Sequence, residues 1–460
     1  MSVRPLLLAT SLLLTASRPV PAFGQAMSDS TRSLAATASE PWVPSGPIPA
    51  AQPWETAVRL PGMVASIPFS MLGLAMKGGL IFVESNDVVP KVVARLSVLQ
   101  QYGVLAGPAS LGDRTGWGGL VGINPTFLRA FTASASGSTG HYSRASVALG
   151  VPGASIAYQS DWRPQDLFFG VGAGSRHDDE SSYASQTQMA RVELRYPLRH
   201  AASGSAERLE DPAASTETHR PARRSIRAWA GPRDLAMSDG RERTDDSKPL
   251  SERFPALAST QLGTRVEHFV YGAEGTLDYR SGRPHWWKGW RTTVSAERYD
   301  APLEAFAFHS ASTPSVEFTR LTYEAEAGVS FWRDPRTFRI YGQVIDQTGV
   351  GNPGVFVLPD LVSLGGGRGL SGFEAGRLQD ADLVLGRVSY IFPLARYLET
   401  DVHAEAGTVV PRLEHARLNA LDTSYGVSLR VRSPLAPLAA AGVEWSRETV
   451  RFRFAIGGVE

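Results

Sequence analysis

"EFTRLTYEAEAGVSF", Glu317 to Phe331, is polar at Arg320, Thr322, Glu324 and Glu326 and apolar at Leu321, Tyr323, Ala325 and Ala327. The period is two residues, so the stretch predicts a β-strand with one polar and one apolar face. The pattern recurs. Arg191, Glu193 and Arg195 alternate with Ala190, Val192, Leu194 and Tyr196. Asp401, His403 and Glu405 alternate with Val402, Ala404 and Ala406, and Ser428, Arg430 and Arg432 with Val427, Leu429 and Val431. Near the end, Arg451 and Arg453 alternate with Phe452, Phe454 and Ile456.

In a water-soluble sandwich the polar faces would meet solvent and the apolar faces a core, and alternation alone does not exclude this. Three features favour a membrane barrel. The strands are many and long. Their polar faces mix Arg with Glu, which suits a wet lumen of cross-paired charges. Aromatic residues gather at strand ends, Tyr390 with Phe392 and Trp286, Trp287 and Trp290 around one turn, where a barrel wall meets lipid headgroups. Strands are expected to begin near Tyr102, Trp117, Leu128, His141, Ser155, Gln186, Ser225, Arg265, Trp290, Glu317, Phe338, Asp382, Glu399, Ser424, Leu438 and Val450. That even count suits a bacterial barrel. The expected fold is all-β, a transmembrane antiparallel β-barrel of about 16 strands, with a short N-terminal helical segment before it.

The N-terminus supports an exported protein. Arg4 precedes the short apolar run "LLLATSLLLTA", and small residues follow in "AFGQA". This order predicts a secretory signal peptide over 1–26. A linker over 27–53 is expected to be disordered. Residues 54–101 are expected to form a periplasmic or interfacial helical segment, because Pro61 and Pro68 break the apolar run at Leu60–Met76 before it can span a bilayer. The barrel is expected over 102–460. It carries a polar, disordered insert at 200–224 and a charged loop near Arg241 on the opposite side of the membrane. There is no cysteine, so no disulfide framework holds this chain. The formal net charge of +1 gives no sign of a nucleic-acid partner.

The richest glycine stretch is "LVSLGGGRGLSGFEAGRLQDADLVLGRVSYIFPL", Leu361 to Leu394. Gly367, Gly369 and Gly372 match a G-x-G-x-x-G spacing. A dinucleotide loop needs a strand before it and a helix after it. Here a strand-like alternation follows, so no cofactor is expected. The plain alternative is a flexible barrel loop. No metal-ligand spacing is evident among the nine histidines. An enzyme is not expected. His403, between Asp401 and Glu405, is the one candidate base, and a charge-network role suits it better.

The same stretch resembles the loop-and-strand signature of the BamA/TamA family, also called the bacterial surface antigen family. The matching residues are Leu364, Gly365, Gly366, Leu370, Gly372, Phe373, Glu374, Gly376, Arg377, Asp380, Tyr390, Pro393 and Leu394. "DLFFGVGAGSRHDDESSY", "HAEAGTVV" with Glu405 in its acidic position, "RSPLAPL" and "VRFRFAIG" are similar to further family motifs, in order. The resemblance implies a loop folded back into the lumen, its arginine paired with acidic residues of the inner wall. Ser371 stands where that arginine is expected. Ser371 is short, so Arg368 or Arg377 is expected to take the contact, with Glu324, Glu326 and Glu405 as acidic partners. The region before Tyr102 is too short and too helical for several POTRA domains, so the chain resembles POTRA-less members.

The resemblance implies a monomeric barrel in the bacterial outer membrane. It touches outer-membrane lipids and inserts or translocates outer-membrane proteins or lipids as clients. Two other functions fit the strands: a passive porin-like channel with an open lumen, and a structural or surface antigen barrel.

Overall fold

The computed structural model describes residues 103–108, 111, 115–116, 118–124, 130–198, 223–240, 247–283, 286–302, 317–331, 336–349, 357–395, 398–432 and 437–456. The expected signal peptide, linker and N-terminal helical segment lie outside them, as does most of the 200–224 insert.

Among the described residues, sixteen strands form the wall. In chain order they are β1 (Val104–Pro108), β2 (Gly118–Ile123), β3 (Phe131–Ser138), β4 (Ser143–Val151), β5 (Ala154–Phe168) and β6 (Ser181–Pro197). Next come β7 (Arg223–Asp239), β8 (Arg265–Asp278), β9 (Trp286–Asp300), β10 (Phe318–Phe331) and β11 (Arg336–Thr348). The last five are β12 (Asp382–Ala395), β13 (Leu398–Val410), β14 (Asp422–Arg432), β15 (Pro437–Ser446) and β16 (Val450–Ile456). Each pairs antiparallel with the next in one continuous meander. Among the described residues no ladder joins β1 to β16. β7 begins at Arg223, so the insert ends two residues earlier than expected.

The side-chain pattern is inverted relative to a soluble sandwich. Val147, Leu149, Ile156, Val192, Leu194, Val294, Tyr323, Ile340, Val388 and Phe452 are exposed. Their neighbours on the other face, among them Asp401, His403 and Glu405, are buried. An apolar outer band around a polar interior is what lipid requires of a closed β-wall. Aromatic pairs mark both rims: Tyr279 with Trp290 at one, ring centroids 4.6 Å apart, and Tyr425 with Trp445 at the other, 6.1 Å apart.

Connections alternate between the two ends of the meander. One end carries the β5–β6, β7–β8, β11–β12 and β13–β14 connections, and the other the two-residue β4–β5 turn. Apart from the β6–β7 connection the longer loops leave from the first end, which places that end outside. β6 ends and β7 begins at one end of the meander, whereas β7 ends and β8 begins at the other.

The charged stretch, expected as a loop, contains two short helices, α1 (Leu250–Arg253) and α2 (Pro255–Gln261). Pro255 sits at the first helical position, where its missing N–H is no loss. Leu250, Phe254, Leu257 and Ala258 follow helical spacing. They join Phe168, Tyr183, Leu235, Met237, Val266, Val357, Leu358 and Leu361 in one apolar cluster. The outer end over β5–β8 is thereby packed against the start of the β11–β12 connection.

Candidate functional site

The β11–β12 connection is a compact plug. Val362–Leu364 and Leu378–Asp380 pair as a small antiparallel hairpin detached from the wall. Leu364, Leu370, Phe373 and Leu378 are fully buried against Leu383 and Leu385 of β12 and Val409 of β13. Polar contacts reach β7, β10, β11, β13, β15 and β16, all from their polar faces. A segment that touches those strands together lies inside the curve of the sheet.

The plug is held at three places. At its entry, Asp360 accepts from Arg233 of β7 at 2.7 Å, and its carbonyl accepts from Arg320 of β10 at 2.8 Å and Gln347 of β11 at 3.0 Å. Both guanidinium groups also face the Tyr299 ring. Burial alone would raise the Asp360 carboxyl, but Arg233, helped by His268 and Arg320, holds the group below the usual carboxylate range.

At the tip, Ser371 donates its N–H to Glu405 Oε2 at 2.5 Å, and its Oγ lies 2.8 Å from the same oxygen. The hydroxyl is also 2.9 Å from Glu444 Oε2 and 3.2 Å from His403 Nε2. Ser424 Oγ donates to Glu405 at 2.8 Å, and Arg387 reaches Glu405 at 3.4 Å and Asp401 at 3.1 Å. Arg430 also pairs with Asp401. Arg451 of β16 donates to the carbonyls of Ser371 and Phe373, and Ser446 Oγ donates to that of Gly372 at 2.9 Å.

At the exit, Arg377 is 2 % exposed and its guanidinium is fully engaged. It forms a fork on Glu448 at 2.7 and 2.8 Å, donates to Ser175 Oγ and O at 2.7 Å each, and lies over the Phe169 ring.

Glycine sets the path at two of the predicted positions. Gly365 has φ +117°, and a Cβ there would overlap the Glu374 carbonyl oxygen. A Cβ at Gly372 would stand 2.5 Å from the Trp445 carbonyl carbon and oxygen, so glycine lets the tip lie on β15. Gly366 is buried and donates its N–H to the Phe373 carbonyl at 2.9 Å. Gly376 has φ +71° at the turn before Arg377.

The structure corrects the expected partners. Arg377 pairs with Glu448 in the β15–β16 turn, not with Glu324, Glu326 or Glu405. Glu405 is taken up by Ser371, Ser424 and Arg387. Glu324 accepts from Gln343 at 2.9 Å, and Glu326 is paired with Arg280 and Arg339 on the wall. Arg368 donates to Ser363 Oγ at 2.7 Å and faces a solvent-accessible part of the lumen. Asp380 accepts from the Ala381 N–H at 2.8 Å. Ser371, expected to be too short, meets two carboxylates because Gly372 brings the backbone to the wall. Sequence reasoning missed Asp360, Glu444, Glu448 and Arg451 as plug partners. The alternation placed Arg451 on the inner face, but nothing local marked the height of any of them in the barrel.

This arrangement is ill suited to acyl transfer. An attacking Ser371 would develop negative charge on the substrate oxygen beside Glu405 and Glu444, where an oxyanion needs donors.

Residues 288–458 match the Omp85 superfamily domain. The match runs from β9 through β16 and contains the whole plug. This part of the chain is an Omp85 superfamily domain. The protein is accordingly a bacterial outer-membrane β-barrel protein, and the BamA/TamA-like loop lies inside the Omp85 match. Solved structures with similar coordinates include BamA from Haemophilus ducreyi lacking POTRA domains 1–3, at 13% identity and TM-score 0.47, covering 79% of this chain and 77% of that one. CdiB from Escherichia coli follows at 13% identity and TM-score 0.43, covering 77% and 62%, and CdiB from Acinetobacter baumannii at 12% and 0.39, covering 77% and 56%. The chain thus spans less than two thirds of either CdiB chain. No curated protein matches the sequence.

Proposed function

We propose that this Omp85 protein inserts or translocates outer-membrane protein or lipid clients at the β1 and β16 edges of its wall, and that its lumen is not the route. The observation that carries this is the plug, which ties β7 and β10 to β13, β15 and β16 across the interior. A passive channel needs that space open. The edges favour a wall route. The described ladder between β1 and β2 has five residue pairs and that between β15 and β16 seven, whereas β12 and β13 share thirteen. Within the described residues both edge ladders are shorter than the roughly 9–11 residues of a membrane-crossing strand. Arg451 and the Ser446 hydroxyl connect the plug to this edge hairpin. The experiment is depletion of the protein followed by quantitative proteomics and lipid analysis of the outer membrane. Specific proteins or lipids are expected to fall. An unchanged composition, with small-solute uptake lost instead, would support a channel.

A further inference from the structure

The lipid-facing side of the wall carries different charges at its two ends. The exposed Trp290, Val294 and Tyr323 mark which positions of β9 and β10 point outward. At the outer rim the outward positions hold both signs: Arg298 pairs with Asp300 and Glu317, and Tyr271 donates to Asp300 at 3.0 Å. At the periplasmic rim from β7 to β12 the outward charges are Arg224, Lys288 and Arg336. Among the described residues no Asp or Glu accompanies them on that face.

Each cation stands among the aromatic residues of that rim. Arg224, near the start of β7, lies opposite the exposed Leu277 of β8, and its guanidinium is 5.3 Å from the centre of the Tyr279 ring. Tyr279 donates its N–H to the Trp290 carbonyl at 2.9 Å and packs its ring against that of Trp290. Lys288 is exposed, two positions before Trp290 on the same face. Arg336 begins β11 two positions before the exposed Phe338 and donates to the Tyr390 hydroxyl of β12 at 3.4 Å. The described residues give neither Arg224 nor Arg336 a carboxylate partner. A guanidinium laid over a ring still turns its N–H edge to an acceptor, and long basic side chains on a membrane wall reach for the headgroup level.

We propose that the periplasmic rim of the wall from β7 to β12 binds the headgroups of anionic phospholipids, with Arg224, Lys288 and Arg336 holding their phosphates. The phosphate supplies the acceptor that the strands do not, and Tyr279, Trp290, Phe338 and Tyr390 seat the lipid at the boundary between headgroup and chain. The choice of an anionic lipid follows from the charges present. A zwitterionic headgroup brings its own ammonium, which needs a carboxylate and is repelled by a cation. This sector offers cations alone, so a headgroup with a phosphate and no ammonium fits it better. The outer rim, with Arg298 already paired, offers no such preference.

The test is native mass spectrometry of the full-length protein in detergent micelles with equal amounts of phosphatidylglycerol and phosphatidylethanolamine of matched chains. Each headgroup meets one cation, which favours an anionic lipid by about fivefold, so bound phosphatidylglycerol is expected to exceed phosphatidylethanolamine by about that factor. The combined variant Arg224→Gln, Lys288→Gln and Arg336→Gln is expected to bring the ratio to about one. Arg412→Gln removes a positive charge from the β13–β14 connection, where the side chain is 74% exposed, and is expected to leave the ratio unchanged. A wild-type protein without preference overturns the proposal, as does a combined variant that keeps it. An equal fall in Arg412→Gln overturns it too, since net charge would then explain the preference. The unboiled-gel mobility shift shows that each sample is a folded barrel. Should the combined variant not fold, the single variants are set against Arg412→Gln in its place.

Discussion

Two arginines of the plug lie nine positions apart and differ in everything that governs their energetic weight. Arg377 is buried, forks onto Glu448, donates twice to Ser175 and covers Phe169. Arg368 has a wet setting and donates to Ser363. Removing one half of a buried ion pair leaves a bare charge and costs about 3–5 kcal/mol. Arg377→Ala is expected to reach the lower part of that range, because Glu448 keeps some solvent contact. Arg368→Ala is expected to cost within about 0.5 kcal/mol, as surface changes do. Denaturant unfolding followed by unboiled-gel mobility measures both. Equal losses would mean that Glu448 is not the partner that matters. Neither role was legible from local sequence. Both arginines belong to the same glycine-rich run, and only the path of the folded plug puts one beside the β15–β16 turn.

At the level of strands the sequence was far more transparent. Each of the sixteen expected starts falls within five residues of an observed one. Alternation is a property of neighbours two apart, so β10 and β13 announce their two faces without any tertiary information. The α1–α2 pair was less visible, because Lys248, Glu252 and Arg253 mask the apolar spacing of Leu250, Phe254, Leu257 and Ala258. Partners across the lumen were not visible at all, since strand order and register decide them. Asp360 shows the consequence at the entry of the plug. Its carboxyl is held below the usual range by Arg233. That contribution is fully present above the unfolded carboxylate value of about 3.9 and is lost as the pH falls through the lower folded value. Acid is therefore expected to loosen the entry only below about pH 4. Asp360→Asn should remove this acid limb from a plot of stability against pH. An unchanged limb in the variant would assign it to another carboxylate.

For the molecule as a whole, three properties belong together: an apolar outer band, a polar interior and a plug that joins opposite parts of the wall. The band explains how a chain of ordinary hydrophobic content meets lipid, because its apolar residues are turned outward. The polar interior supplies the charges that fasten the plug. On the proposed reading the plug stops the wall from acting as an open pore, and its contacts tie it to the hairpin at the edge. The most direct measurement is the conductance of the refolded protein in planar bilayers, beside a variant lacking Gly365–Asp380 whose gel shift shows a folded barrel. The intact protein is expected to show no steady porin-size conductance, and the variant to show it clearly. A steady conductance of the same size in both proteins would contradict the plugged lumen and with it the proposed route at the wall.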